Sequence, residues 1–91
     1  MNYATQNYLV KLFKILSNSK RLQIVHILSK GKPLSVTEIA DSLKMEQSTL
    51  SNHLTRMRDN KVINAEQRGM HMYYSLSDPN VSKLLKQITP V

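Results

Sequence analysis

The stretch that most constrains the fold runs from Leu43 to Asn60 and combines apolar residues at helical spacing with a run of short polar side chains. At about 100° of rotation per residue, Leu50, Leu54 and Met57 share one stripe of a helix. The opposite face is rich in Ser, Thr, Asn and Gln, which allow a helix to enter a DNA major groove and hydrogen-bond base edges and phosphates. The stretch therefore predicts a DNA recognition helix, with an ordinary solvent-exposed helix face as the alternative.

Composition bounds the class of protein. The 91 residues predict one domain over 1–91, with a modest core that a second subunit would extend. A formal net charge of +7 favours nucleic acid as a partner first and an anionic membrane second. The sequence has no cysteine, which excludes disulfides and thiolate metal sites. Because no apolar run approaches the ~20 residues of a membrane span and no signal peptide is evident, we expect a soluble, cytoplasmic protein without a membrane partner.

Two apolar helices are predicted before the recognition unit. The first covers residues 3–16, where apolar positions recur at helical spacing: Tyr8, Leu9, Leu12, Phe13 and Leu16. Val10 and Ile15 lie off that stripe, and a helix that is apolar on more than one side is usually buried on more than one side. The second helix runs from Lys20 to Ser29, capped by Asn18 or Ser19. His26 in this apolar run is expected to be a partly buried histidine and not a ligand.

A helix-turn-helix is predicted over residues 35–60. Gly31 and Pro33 end the second helix. Ser35 and Glu38 then have the spacing of a capping box, which begins a short third helix. This helix would brace the recognition helix, which is predicted to begin near Glu46.

Residues 62–76 predict a β-hairpin with a turn at Arg68-Gly69, in which Met72, Tyr74 and Leu76 face the protein. A last helix over residues 79–89 has apolar residues in a strict helical stripe: Val81, Leu84, Leu85 and Ile88. A two-stranded hairpin is marginal in isolation and should pack on the helical core as a wing. The predicted fold is therefore mainly α with a small β-hairpin, a winged helix-turn-helix in the order ααααββα.

These residues resemble the ArsR/SmtB, or arsenic-repressor, family of small bacterial winged-helix regulators. The likeness is carried by Leu16–Leu22 at the start of the second helix, by Gln47–Leu54 in the recognition helix, and by Arg68-Gly69 with Tyr73–Leu76 in the wing. It implies a homodimer built from the helices at 3–16 and 79–89, which binds a partly palindromic operator and represses nearby genes. The expected dimerisation residues are the apolar stripes of those helices: Tyr8, Leu9, Leu12, Phe13, Val81, Leu84, Leu85 and Ile88.

The chain departs from this family in its metal ligands. Many members sense metals or arsenicals through cysteines of the helix-turn-helix or through acidic and histidine ligands of the last helix. Here the last helix has no histidine, and His26, His53 and His71 lie in three different predicted elements. Because a metal site needs three or four convergent ligands, we expect no metal and no cofactor.

The candidate DNA-binding residues lie on the recognition helix and the wing: Gln47, Ser48, Thr49, Ser51, Asn52, His53, Arg56, Arg58 and Arg68. Gln and Asn side chains bond adenine in a bidentate manner, and hydroxyls serve bases or phosphates. Arg56 and Arg58 are expected to contact phosphates. Arg68 would enter the minor groove or contact the backbone, unless it is only a solvated turn residue. His53, between the two faces, would brace the helix or contact a phosphate.

The sequence thus favours a dimeric, sequence-specific transcriptional repressor bound to double-stranded DNA. One alternative is a nonspecific architectural or plasmid-maintenance DNA-binding protein, which the net charge favours and the near-neutral polar face disfavours. Another is a winged-helix module that binds a protein partner. An enzyme is not expected, because paired carboxylates, a nucleophile with its base and a glycine-rich phosphate loop are all missing from the sequence.

Overall fold

The chain folds into five α-helices and three β-strands in a computed structural model that describes residues 1–89. The elements are, in order, α1 (Tyr3–Leu16), α2 (Ser19–Leu28), β1 (Leu34–Ser35), α3 (Val36–Leu43), α4 (Gln47–Asp59), β2 (Ile63–Arg68), β3 (His71–Leu76) and α5 (Pro79–Ile88). The predicted mainly α, winged helix-turn-helix order is confirmed, and the structure adds the short strand β1. Within the described residues, no helix is both long enough and apolar enough to cross a membrane.

Side-chain caps mark the starts of α2, α3 and α5. The Asn18 side chain accepts hydrogen bonds at the start of α2, and Asp78 does the same for α5. The predicted capping box of α3 is present: the Glu38 N–H donates to Ser35 Oγ at 3.1 Å, and the Ser35 N–H donates to Glu38 Oε1 at 3.0 Å. This bond from the Ser35 backbone holds the pKa of the Glu38 carboxyl below its usual value. Local polar residues therefore set the starts of these three helices, as the sequence indicated.

The core lies where α2, α3 and α4 meet the base of the hairpin. Its largest fully buried side chains come from these elements: Ile24, Val25, Ile39, Leu50, Leu54, Met57, Val62 and Ile63. The predicted apolar stripe of α4 is confirmed, since Leu50, Leu54 and Met57 are at most 1% exposed. In α2, by contrast, His26 is exposed and Leu22 is 40% exposed. The expectation of a partly buried His26 is therefore wrong.

The buried side of α1 differs from the predicted stripe. Leu12 and Ile15 are 4% and 2% exposed, whereas Phe13 is 56% exposed. The sequence placed Phe13 on the main stripe and Ile15 outside it. Because α1 has apolar residues around more than one side, its periodicity allows more than one buried face. Packing against α2 selects the face that contains Ile15.

Some predicted dimerisation residues fill the protomer's own core. Leu12, Val81 and Leu85 are 4%, 3% and 8% exposed, so they are closed to a partner in this structure. Leu84 and Ile88 of α5 are 39% and 67% exposed. The stripes of α1 and α5 are therefore each divided, with one side in the core and one side open. A stripe at helical spacing does not by itself distinguish the two environments.

The sheet has the order β1-β3-β2, with both pairs antiparallel. Arg68 pairs with His71 as the last pair of the hairpin, so the turn residues are Gly69 and Met70. This corrects the predicted turn at Arg68-Gly69 by one residue. Gly69 has φ +62°, which suits a tight hairpin turn, and Met70 at the tip is 94% exposed.

The wing is joined to the recognition helix by a Schellman motif. The Val62 N–H donates to the Met57 carbonyl at 2.9 Å, and the Lys61 N–H donates to the Arg58 carbonyl at 2.9 Å. Lys61 has φ +62°, in the left-handed region where glycine is normally preferred. The start of β2 therefore has a fixed position relative to the end of α4.

We predict that Lys61→Gly raises the free energy of unfolding by about 0.5–1 kcal/mol. Left-handed backbone costs an L-residue roughly 1–2 kcal/mol, and the greater freedom of glycine in the unfolded chain offsets part of that gain. Urea denaturation measures the difference. Lys61→Ala is the control, because it removes the same side chain but keeps the Cβ atom. Equal stabilisation by both variants would contradict the backbone explanation.

Candidate nucleic-acid interface

The polar face of α4 is exposed, as its buried stripe requires. Gln47, Ser48, Ser51 and Asn52 are all exposed at the N-terminal half of the helix. Thr49 and His53 are half-buried at its edges, and Arg56 and Arg58 are exposed towards its end. The structure thus places these candidate residues on an accessible surface, and their contacts with DNA stay predictions.

Glu46 belongs to this surface and was missed from the sequence. It precedes α4, and its carboxylate makes no capping hydrogen bond to the helix backbone. It accepts a hydrogen bond from the Ser48 hydroxyl instead. If α4 lies against DNA, a carboxylate here would repel phosphates and would be suited to accept a hydrogen bond from cytosine N4. The sequence does show Glu46 directly before the recognition helix, but an acidic residue at a helix N-terminus is usually explained by the helix dipole alone.

Arg68 lies in β2 and is held along the hairpin by two side chains. Its guanidinium carbon is 5.4 Å from the centroid of the Tyr73 ring. Its Nε atom donates to Glu66 Oε1 at 3.3 Å, in an exposed ion pair. Met70, and not Arg68, therefore forms the tip of the wing. The positive charge of Arg68 lies beside the tip, and its contact with DNA stays a prediction.

A group of basic residues lies beside His53 and was also missed. Burial, followed by the positive charges of Arg21, Lys20 and Arg56, lowers the pKa of His53. Arg21 is fixed there because its Nε and Nη2 donate to the carbonyls at the end of α1, both at 3.1 Å. Lys20 and Arg21 are distant from His53 in sequence, so only the packing of α2 near α4 shows this proximity.

Two lysines bracket the recognition helix in left-handed backbone conformations. Lys44 ends α3 with φ +52°, and Lys61 follows α4 with φ +62°. Both side chains are exposed. They place a positive charge near each end of α4, while the middle of its exposed face carries neutral polar side chains.

Within residues 1–89, no three His, Cys, Asp or Glu side chains converge to hold a metal ion. His26, His53 and His71 lie in α2, α4 and β3, respectively. The expectation that no metal is bound stays a prediction, which operator titrations with and without zinc would check.

We predict that Glu46→Gln raises affinity for random-sequence duplex DNA about two- to fivefold, since removing an exposed repulsion is worth roughly 0.5–1 kcal/mol. Fluorescence anisotropy at low and moderate salt measures the change. Asp59→Asn makes the same charge change about 20 Å away at the other end of α4. If it has the same effect, net charge is responsible and Glu46 is not close to DNA.

Comparison with known proteins identifies relatives of this chain. A family model described as bacterial regulatory protein, arsR family, matches residues 18–65. Over 81 residues, the chain is 41% identical to the transcriptional repressor PagR of Bacillus anthracis. The aligned part covers 89% of this chain and 81% of PagR. Over 77 residues, it is 34% identical to the transcriptional activator HlyU of Vibrio cholerae. This aligned part covers 85% of this chain and 70% of HlyU.

Solved structures share the fold. The crystal structure of PagR matches with a TM-score of 0.86 and 36% identity, over 97% of this chain and 100% of that chain. The solution structure of a homodimeric winged helix-turn-helix DNA-binding domain from Mycobacterium bovis, a possible ArsR-family regulator, matches with a TM-score of 0.81 and 27% identity. That match covers 93% of this chain and 78% of the other.

Proposed function

The chain belongs to the arsR family of bacterial regulatory proteins, and we propose that it is a homodimeric repressor that binds a partly palindromic operator with sequence specificity. As predicted from the sequence, it is a transcriptional regulator with a winged helix-turn-helix DNA-binding domain, and its family is not enzymatic. The proposal adds the dimer, the form of the operator and the direction of regulation.

The exposed face of α4 is the observation that carries sequence specificity. Gln47, Ser51 and Asn52 are exposed, neutral and rich in hydrogen-bond donors and acceptors. Such side chains distinguish base edges, whereas Lys and Arg bound to phosphates contribute affinity for any sequence. A neutral polar face of this kind favours an operator-binding regulator. The second candidate is a nonspecific architectural protein, which the net charge of +7 supports.

The open sides of α1 and α5 support the dimer. Phe13, Leu84 and Ile88 are 56%, 39% and 67% exposed. Exposed apolar groups of this kind are typical of an interface between subunits. The structurally similar domain from Mycobacterium bovis is a homodimer. A two-fold dimer would present two copies of α4 to half-sites about one helical turn, or a multiple of it, apart.

Repression is supported by the likeness to PagR, which is a repressor and shares 41% identity with this chain. HlyU, at 34% identity, is named an activator. A reporter gene placed behind a selected operator distinguishes the two directions, because a repressor lowers its expression and an activator raises it.

The central experiment selects bound sequences from a random pool and then compares variants on the selected site and on a scrambled duplex. Asn52→Ala and Gln47→Ala should each cost roughly 1–3 kcal/mol on the selected site and little on the scrambled one. Arg56→Ala should weaken both and lower the salt slope by about one unit. If the alanine variants at Gln47 and Asn52 weaken both duplexes equally, α4 does not read bases and the architectural function is the better one.

The dimer is tested by an exposed residue of α5, because Leu12 and Leu85 belong to the core. Ile88→Asp should shift wild-type dimers towards monomers at micromolar concentration, since it places a charge in an apolar contact. Sedimentation velocity measures the shift. Gln87→Asp is the control, because it adds the same charge at the exposed neighbouring position. A monomeric wild-type protein with tight operator binding would contradict the dimer.

A further inference from the structure

A basic cluster joins the first turn of α2 to the flank of α4. It consists of Lys20 and Arg21 from α2 and of His53 and Arg56 from α4, and we call it the α2–α4 basic cluster. His53 and Arg56 are three residues apart and so lie on one side of their helix. His53 is half-buried, whereas Lys20 and Arg56 are exposed. The cluster is thus anchored within the protein and open at the surface beside the recognition face.

The cluster has a fixed frame. The Arg21 side chain donates to the carbonyls of Ile15 and Lys14, both at 3.1 Å. The Asn18 side chain accepts from the backbone N–H groups of Lys20 and Arg21, at 3.0 and 3.1 Å. These backbone groups are therefore occupied at the start of α2. The charged ends of Lys20 and Arg56 remain as the groups that face solvent.

No carboxylate balances the charge of this cluster in the described part of the chain. Residues 1–37 contain six Lys and Arg residues and no Asp or Glu. Across residues 1–89, the ion pair that forms is the one between Arg68 and Glu66, far away on the wing. Like charges held together without a counterion are unfavourable, and they are complementary to a polyanion. The charge pattern therefore indicates an anionic ligand from outside the chain.

We propose that the α2–α4 basic cluster binds a backbone phosphate of DNA beside the groove that α4 enters, with Lys20 as its direct partner. This inference rests on the proposed function, because it requires α4 to lie against DNA. It extends the interface to α2, outside the helix-turn-helix and the wing. Phosphate contacts of this kind position a protein on the duplex without reading sequence.

The cluster also makes binding depend on pH. Burial and the positive charges of Arg21, Lys20 and Arg56 keep the pKa of His53 below its usual value, so the free protein has a neutral ring at pH 7. These are the charged groups that act on it from α2 and α4, and all are positive. A phosphate adds the opposite charge and raises the proton affinity of the ring. The complex then binds a proton from solvent that the free protein lacks, so affinity rises as pH falls from 8 to 6.

The first test uses Lys20→Gln with Lys30→Gln as the matched control. Lys30 follows the other end of α2, about 15 Å away, and the charge change is the same. The probe is a random-sequence duplex, since a phosphate contact does not depend on base sequence. Lys20→Gln should weaken binding about three- to tenfold and lower the salt slope by about one unit, while Lys30→Gln has little effect. Equal effects of the two variants would overturn the proposal, because they would show a general response to net charge.

The second test follows pH with the same duplex. Wild-type affinity should rise by up to about tenfold per pH unit between pH 8 and pH 6, the limit for one proton. His53→Gln should remove most of this rise, because the proton that the ring takes up on binding is lost with it. His26→Gln, on the exposed part of α2, should keep the rise. If His53→Gln behaves as wild type, or if a His71→Gln variant removes the rise instead, the assignment of the proton to His53 is wrong.

Calorimetry on the wild-type protein tests the proposal without any substitution, so its result does not depend on whether a variant folds. Titration of the duplex in buffers with different ionisation enthalpies measures the number of protons taken up on binding. Uptake near pH 6.5 supports the proposal, and zero uptake contradicts it. A wild-type protein that binds no duplex DNA at any pH would contradict the proposed function itself. Tight binding without proton uptake and without a specific effect of Lys20→Gln would contradict this inference alone.

Discussion

Burial of the apolar side of α4 is the interaction on which the candidate interface depends. Leu50, Leu54 and Met57 are at most 1% exposed, and burying a side chain of this size contributes roughly 1.5–3 kcal/mol. Three such contacts fix the rotation of α4 about its axis, so the opposite polar face is presented in one orientation. The Met57 carbonyl also accepts the hydrogen bond from Val62 that begins the wing. Core packing thus positions both elements that we expect to meet DNA.

Most of the fold could be predicted because local chemistry determines it. The capping box of Ser35 and Glu38 and the cap at Asn18 act within three residues, and both were visible in the sequence. The rotation of α1 could not be predicted in the same way. Phe13 and Ile15 are both apolar, yet one is 56% and the other 2% exposed. Which side is buried depends on the helices it meets, and helical periodicity has no information about them when several sides are apolar.

The candidate site also has a part that the sequence predicts and a part that only the folded structure shows. The exposed set on α4 could be predicted, because a clear apolar stripe defines its opposite face. The surroundings of His53 could not, since Lys20 and Arg21 approach it only after α2 packs near α4. Strand β1 was missed for a related reason: two residues have no periodicity, and Leu34 becomes a strand residue only by pairing with Tyr74. Sequence patterns therefore predict faces of elements well and contacts between elements poorly.

The distribution of charge around α4 suggests that different residues supply affinity for DNA and specificity for its sequence. Lys44 and Lys61 adopt left-handed conformations that cost roughly 1–2 kcal/mol each for an L-residue, a steric cost that glycine does not have. Lysine at these two positions provides a positive charge near each end of the helix, which glycine would not. Positive charges in the middle would strengthen binding to every sequence alike, because phosphates are the same everywhere along DNA. Neutral side chains such as Asn52 strengthen binding only where the bases match. We therefore expect cations at the ends and neutral side chains between them to raise affinity for DNA without reducing discrimination between sites.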